Sequence, residues 1–176
     1  WPETDLRLDT SLKPVDFVAQ RIDVGVRYGR GQWPGLAAEK LMDEEVYPVC
    51  APALLATATL QAPGDLRGQV LIHDQSVDTS TGFASWQAWL RHAGVQGVPT
   101  DRGLRINNSA AVLQAAIDGQ GVALARSVMA HDDLAAGRLV RLFPQVRLES
   151  ALAYYVVYRP ECIAQPKVAA FRDWLL

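Results

Sequence analysis

Apolar and polar positions along this chain alternate with a period of two in several short runs, and with a helical period between those runs. Leu6 and Leu8 alternate with Asp5, Arg7 and Asp9, which predicts a half-buried strand. A short helix is expected next, opened by Pro14 and carrying Val15, Phe17 and Val18. A strand over 22–27 follows, with Gly29, Gly31 and Pro34 marking the loop beyond it. Residues 45–50 read as extended and end at Ala51-Pro52, and 70–73 reads as another strand. Phe83, Trp86 and Leu90 then recur at helical spacing, with Gly94 where a helix C-terminus favours glycine. After a strand over 104–106, Ser109 is the expected N-cap of a helix with Val112, Leu113, Ala116 and Ile117 inward. A small-residue strand over 121–125 leads to Ser127, expected to cap a helix that stops at Gly137. Residues 154–158 form a nearly continuous apolar strand. Pro166 sits in the first turn of a last helix carrying Val168, Phe171 and Leu175.

Strands alternating with helices predict an α/β fold with a largely parallel sheet. Two extended, proline-flanked stretches, 48–52 and 155–160, bracket roughly the middle hundred residues and read as crossovers between two lobes. The expected division is 1–50 for the first lobe, 51–152 for the second, and 153–176 as a return to the first. A cleft between such lobes is a natural ligand site.

Composition narrows the function classes. The 176 residues are 49% hydrophobic and 20% charged, as in an ordinary globular chain, which excludes disorder over most of the length. No apolar run approaches the roughly 20 residues that a bilayer requires, so no membrane partner is expected. The net charge is −2, with Lys and Arg dispersed among acids, and the chain by itself is a poor nucleic-acid binder. Cys50 and Cys162 lie far apart and form no CxxC pair, which suits a reducing compartment. No basic stretch followed by an apolar one opens the chain, so no secretion signal is expected.

Candidate chemistry is sparse. There is no GxSxG elbow, Walker loop, HExxH or zinc-type spacing, and Gly119-Gln-Gly121 lacks the third glycine of a dinucleotide fingerprint. His73, His92 and His131 are scattered, and no catalytic residue, metal site or cofactor is expected. His73-Asp74 at a strand end is a formal acid/base candidate, with a plain strand-end polar pair as the competing reading. What remains are polar groups at strand ends and helix starts, where a cleft collects them. Thr10 and Ser11 follow the first strand, and Arg27 ends the second just before Tyr28. Asn108 and Ser109 precede a helix whose N-terminus favours an anion. Each also has a structural reading: caps for Thr10, Ser11 and Ser109, and a salt bridge for Arg27. The Trp86/Trp89 and Phe171/Trp174 pairs are expected in the core. Tyr154, Tyr155 and Tyr158 alternate faces, one subset for the core and the other for a cleft wall.

The segments 22–29 (IDVGVRYG), 45–52 (EVYPVCAP), 119–124 (GQGVAL), 134–140 (LAAGRLV) and 171–175 (FRDWL) occur in an order that resembles the effector-binding domain of LysR-type transcriptional regulators. Within it, the branch of glycine-cleavage activators and β-lactamase regulators is the most similar. The resemblance covers almost the whole chain. It implies the two-lobed fold of type 2 periplasmic binding proteins, two crossover strands, and a small-molecule effector in the central cleft. It further implies a cytoplasmic protein that dimerises or tetramerises at full length and meets DNA only through an N-terminal winged helix-turn-helix that this chain does not contain. The chain matches the family pattern only after its first strand and helix. By resemblance, Thr10 and Ser11 fall in a cleft loop, Ser109 at the start of a cleft-lining helix, and Tyr154 on the returning crossover. Arg27 and Tyr28 fall at a strand end facing the second lobe. Ser109 and Thr10 are thus expected to line one cleft from opposite lobes. The family's effectors are small metabolites, often anionic. A solute-binding protein for transport is the competing reading on the same fold, and an enzyme is the third.

Overall fold

The computed structural model describes residues 5–11, 15–76 and 79–176. In chain order its elements are β1 (Val24–Gly29), β2 (Ala37–Met42), β3 (Glu45–Cys50), α1 (Pro52–Leu55), β4 (Leu71–Asp74) and α2 (Trp86–His92). There follow β5 (Leu104–Ile106), α3 (Ser109–Ile117), β6 (Val122–Arg126), α4 (Ser127–Ala135), β7 (Val140–Arg141), β8 (Leu148–Glu149), β9 (Ala153–Tyr158) and α5 (Pro166–Leu175). The chain forms two compact units: one from residues up to Asp43 together with Leu152–Leu176, the other Glu44–Ala151. The strand β3, placed with the first lobe by the sequence reading, pairs with β6, β7 and β8 and belongs to the second unit.

The first unit is a three-stranded sheet in the order β1-β9-β2, antiparallel throughout. The apolar run of β9 follows from its central position: Ala153, Val156, Val157 and Tyr158 are buried, on both faces of the pleat. One face of the sheet packs on α5 through Val156, Tyr158 and Val168, with Val24 and Leu175 alongside. The other face receives Phe17, whose ring would lie 3.1 Å from a Cβ on Gly25.

Three sequence expectations fail in this unit. Residues 5–11 form no strand, and Leu6 and Leu8 are 70% and 82% exposed, because no neighbouring strand pairs with them among the described residues. The helix expected near Val15 is a turn over 17–21 that buries Phe17 and exposes Val18, and Pro14 lies outside the described residues. Trp174 is 71% exposed although it stacks on Phe171 at 5.6 Å. At about 100° per residue it lies a third of a turn from the Val168–Leu175 stripe that faces the sheet.

The second unit is a mixed sheet in the order β5-β4-β6-β3-β7, with β8 also on β3. Only β4–β5 and β4–β6 are parallel, and β3 runs antiparallel to its neighbours. The expectation of a largely parallel sheet therefore holds only for these three strands, which alternate with the helices α2, α3 and α4. Its core has two clusters. Val112, Leu113, Ala115 and Ala116 of α3 pack on Ile72, Ala123 and Tyr47. Trp86 and Trp89 of α2, edge to face at 6.2 Å, pack with Leu66, Leu71 and Phe143. The Trp86 indole N–H donates to the Ile72 carbonyl at 2.9 Å, which satisfies its polar atom inside the core. Cys50 and Cys162 are both buried free thiols, and burial pushes Cys50 up to about 11.

Gly119 and Gly121 have separate structural duties that explain their sequence. Gly119 ends α3 at φ +74, its N–H bonded to the Ala116 carbonyl and that of Gln120 to the Ala115 carbonyl, a Schellman closure. At Gly121 a Cβ would sit 2.3 Å from the Val70 carbonyl oxygen. Gly119→Ala, with open space around it, is expected to cost about 1 kcal/mol from its left-handed backbone. Gly121→Ala must displace backbone between β4 and β6, and its thermal midpoint should fall well below that of Gly119→Ala. Equal midpoints in a calorimetric comparison would refute this account of Gly121.

Candidate functional site

In the second unit, β4 ends at Asp74 opposite Ile106, the end of its parallel neighbour β5, and α3 begins beside it. Asn108 is the N-cap of α3: its backbone is extended and its side-chain oxygen accepts the Ala111 N–H at 3.0 Å. Ser109, the expected cap, is instead the first helical residue. Its hydroxyl is thereby free to turn toward the strand end and donates to Asp74 Oδ2 at 2.5 Å. The Ser76 hydroxyl is 2.8 Å from that of Ser109, and the Ser76 N–H donates to Asp74 Oδ1 at 2.8 Å. All three residues are half-buried. A cavity of about 240 Å³ adjoins Asp74, lined also by His73, Gln75, Phe83, Trp86 and Arg105.

His73 takes no part in an acid/base pair with Asp74. Neighbouring strand residues point to opposite faces, and His73 Nε2 is 2.8 Å from the Arg102 carbonyl while Asp74 faces Ser109. Among the described residues, no three histidine, cysteine or carboxylate side chains gather to hold a metal.

In the first unit, Arg27 and Tyr28 leave β1 on opposite faces. Arg27 lies 5.2 Å from the Phe17 ring centre and 6.0 Å from that of Trp33, and its Nη2 donates to the Val15 carbonyl at 3.2 Å. Among the described residues no carboxylate pairs with it, so the salt-bridge reading gives way to stacking on aromatic faces. Burial pushes its pKa down from the usual arginine value. Trp33 meets Tyr155 at 5.5 Å, so Phe17, Arg27, Trp33 and Tyr155 form one cation–aromatic group. Tyr28 is the cross-strand partner of Tyr154, with ring centres 4.9 Å apart on the sheet's other face. The structure thus joins Tyr28 to Tyr154 and separates both from Arg27. Thr10 and Ser11 are exposed on the irregular segment 5–11.

The whole chain, residues 1–176, matches the model of the LysR substrate binding domain. The chain belongs to this family. It is 42% identical over 177 residues to the glycine cleavage system transcriptional activator of Escherichia coli, covering 100% of this chain and 56% of that protein. It therefore spans about half the length of that relative. Among solved structures, the effector domain of the transcriptional regulator AmpR of Pseudomonas aeruginosa matches with a TM-score of 0.79 at 31% identity, over 99% of this chain and 81% of that one. A Citrobacter freundii effector binding domain, carrying substitutions of a threonine, a serine and a tyrosine that each remove a hydroxyl, matches with a TM-score of 0.80 at 25% identity, over 99% and 83%. These establish the two-lobed effector-binding fold of LysR-type regulators. The relatives are transcriptional regulators and not solute-binding proteins of transport systems.

Within this LysR-type domain, sequence reading missed Ser76, Phe17 and Trp33. Ser76 sits in a loop with no periodic pattern, and its link to Ser109 spans 33 residues. Phe17 and Trp33 are isolated aromatics flanking β1, and only the strand's pleat shows that both face Arg27. A second correction concerns Ser127, which is the first residue of α4 and makes no cap bond to that helix; its hydroxyl donates to Glu44.

The cap assignment is testable. Asn108→Ala should lower unfolding stability by about 1 kcal/mol as a lost N-cap. Ser109→Asp, which retains good capping chemistry but sits one residue too late, should not restore it in the Asn108→Ala background. Urea midpoints of the two single variants and the double variant decide this.

Proposed function

We propose that this chain is the sensing part of a bacterial LysR-type transcriptional regulator, binding a small-molecule effector and passing the change to a DNA-binding part elsewhere in the protein. The observation that carries the reading is the strand-end cluster at the start of α3. Ser109 is held by Asp74 and Ser76 while still half-buried, and a cavity adjoins Asp74. Purely structural hydroxyls are normally sealed or spent on a cap, and Asn108 already does the capping. The Citrobacter freundii effector binding domain carries changes that remove one threonine, one serine and one tyrosine hydroxyl. Thr10, Ser109 and Tyr154 are the corresponding types among our candidates. Ser11, Arg27, Tyr28 and Asn108 complete the proposed set, with Arg27 on one face of the first sheet and the two tyrosines on the other. The reading includes action in the cytoplasm, where the DNA is, assembly of the complete regulator as a homodimer or tetramer, and no enzymatic step. No helix among the described residues is long and apolar enough to cross a membrane.

Full-length regulator should form a sequence-specific complex with its operator in a gel-shift, and residues 1–176 alone should not, because their basic residues are dispersed and release few counterions. Ser109→Ala in the full-length protein should abolish the transcriptional response to inducing conditions while leaving operator binding and the circular dichroism spectrum unchanged. A retained response in that variant would remove Ser109 from the proposed site.

A further inference from the structure

The proton positions in the strand-end cluster can be assigned from chemistry alone. Ser109 has one hydroxyl proton, and it points at Asp74 Oδ2, which can only accept. The contact between the Ser76 and Ser109 hydroxyls at 2.8 Å needs a donor, and Ser109 has no second proton. Ser76 is therefore the donor, and its proton is committed as well. Asp74 Oδ1 accepts the Ser76 N–H. Every proton of the cluster points inward, along the chain Ser76 to Ser109 to Asp74. What these bonds leave unused is one lone pair on Ser109, two on Ser76, and the remaining acceptor capacity of a carboxylate.

We infer that the Asp74–Ser76–Ser109 cluster recognises a protonated amine, or an equivalent cationic N–H donor, on the effector. This rests on the proposed effector role of Ser109 and names the ligand chemistry that role requires. An ammonium group has three donors and no acceptor, the complement of three oxygen atoms with lone pairs only. A ligand carboxylate placed against these three oxygens would find no donor among their side chains and would face a like charge. The N-terminus of α3, which by itself favours an anion, already has one in Asp74. Among the described residues no lysine or arginine donates to Asp74, so its charge is not cancelled by a side chain. Arg105, the guanidinium lining the adjoining cavity, is exposed and donates to the Asp101 carbonyl at 2.8 Å. Phe83, Trp86 and Leu124 line the same cavity and suit an apolar group attached to the amine.

The test uses two probes of similar size and opposite charge, ethanolamine and glycolate, titrated into the isotope-labelled chain at neutral pH. The amide resonances of Ser76, Asn108 and Ser109 are followed. Ethanolamine should move them saturably and glycolate should not. Asp74→Asn should weaken ethanolamine roughly tenfold or more, the loss expected for a hydrogen bond to a charged group. If Asp74→Asn loses its dispersed spectrum, Ser76→Ala takes its place and should weaken ethanolamine severalfold by deleting two unused lone pairs. Movement by glycolate with none by ethanolamine would overturn the inference while leaving Ser109 an effector contact. Ethanolamine binding that is unchanged in both variants would also overturn it. Silence of all three resonances to both probes would overturn the inference together with the effector role of Ser109.

Discussion

The second unit is held at both of its chain entries by one residue. Glu44, 4% exposed, is the first residue after the passage from the first unit. Its carboxylate Oε1 accepts the Ser127 hydroxyl, the Val128 N–H at 3.2 Å and the Glu45 N–H at 3.0 Å. Its backbone carbonyl accepts the Ser150 N–H at 2.8 Å, next to the point where the chain leaves again. A buried carboxylate is costly unless it is hydrogen-bonded, and here the N-terminus of α4 supplies both donors and a favourable dipole. Glu44 thereby caps a helix more than eighty residues away. Next to it, Glu45 pairs with Arg141, whose guanidinium lies 3.9 Å from the centre of the Tyr47 ring. The edges of β3 and the start of α4 depend on these two carboxylates.

This capping from a distance shows where the sequence was legible. The helix stops expected at Gly94 and Gly137 hold because they are local: both lie in the left-handed region just past helix ends, as does Gly119, which the sequence reading did not single out as a stop. Helix starts were misplaced by one residue at both α3 and α4. Serine is a strong N-cap type, yet in each case its hydroxyl serves a distant carboxylate, Asp74 or Glu44. Preference for a cap is a statement about one turn of helix, and it loses to a partner that only the fold brings near. The Trp86/Trp89 pair is in the core as expected because helical spacing puts both rings on the buried face, although only the Trp86 indole finds a hydrogen-bond partner there. Leu6 and Leu8 show the limit of period two: alternation marks a face that is able to be buried, and burial needs a neighbouring strand.

The candidate residues divide along the same line. Position at a helix start was readable for Asn108 and Ser109, and position on a strand for Tyr154, whereas Arg27, expected to end its strand, lies with Tyr28 inside β1, which runs on to Gly29. Which of them share a face was readable only for residues on one strand or one ladder. The pleat alone sends Arg27 and Tyr28 apart, and the β1–β9 register then joins Tyr28 to Tyr154. The cation–aromatic group around Arg27 draws Phe17 and Trp33 from loops on either side, and no periodicity carries that information.

The cluster at α3 also changes what its helix N-terminus means. Seen in the sequence, a helix start after a strand is an anion site, because its N–H groups are unpaired and its dipole is positive. In the folded chain the Asn108 side chain takes one of these N–H groups, that of Ala111, and Asp74 places an anion within hydrogen-bond reach of the first helical residue. The dipole at this terminus already faces a negative charge. Its outward chemistry is set by the side chains that satisfied it. The order of proton donation from Ser76 through Ser109 to Asp74 converts a site that would attract negative charge into one that presents lone pairs beside a carboxylate. On the proposed role of this cluster, the sign of its ligand is decided by one interposed acid at the end of β4 and not by the helix.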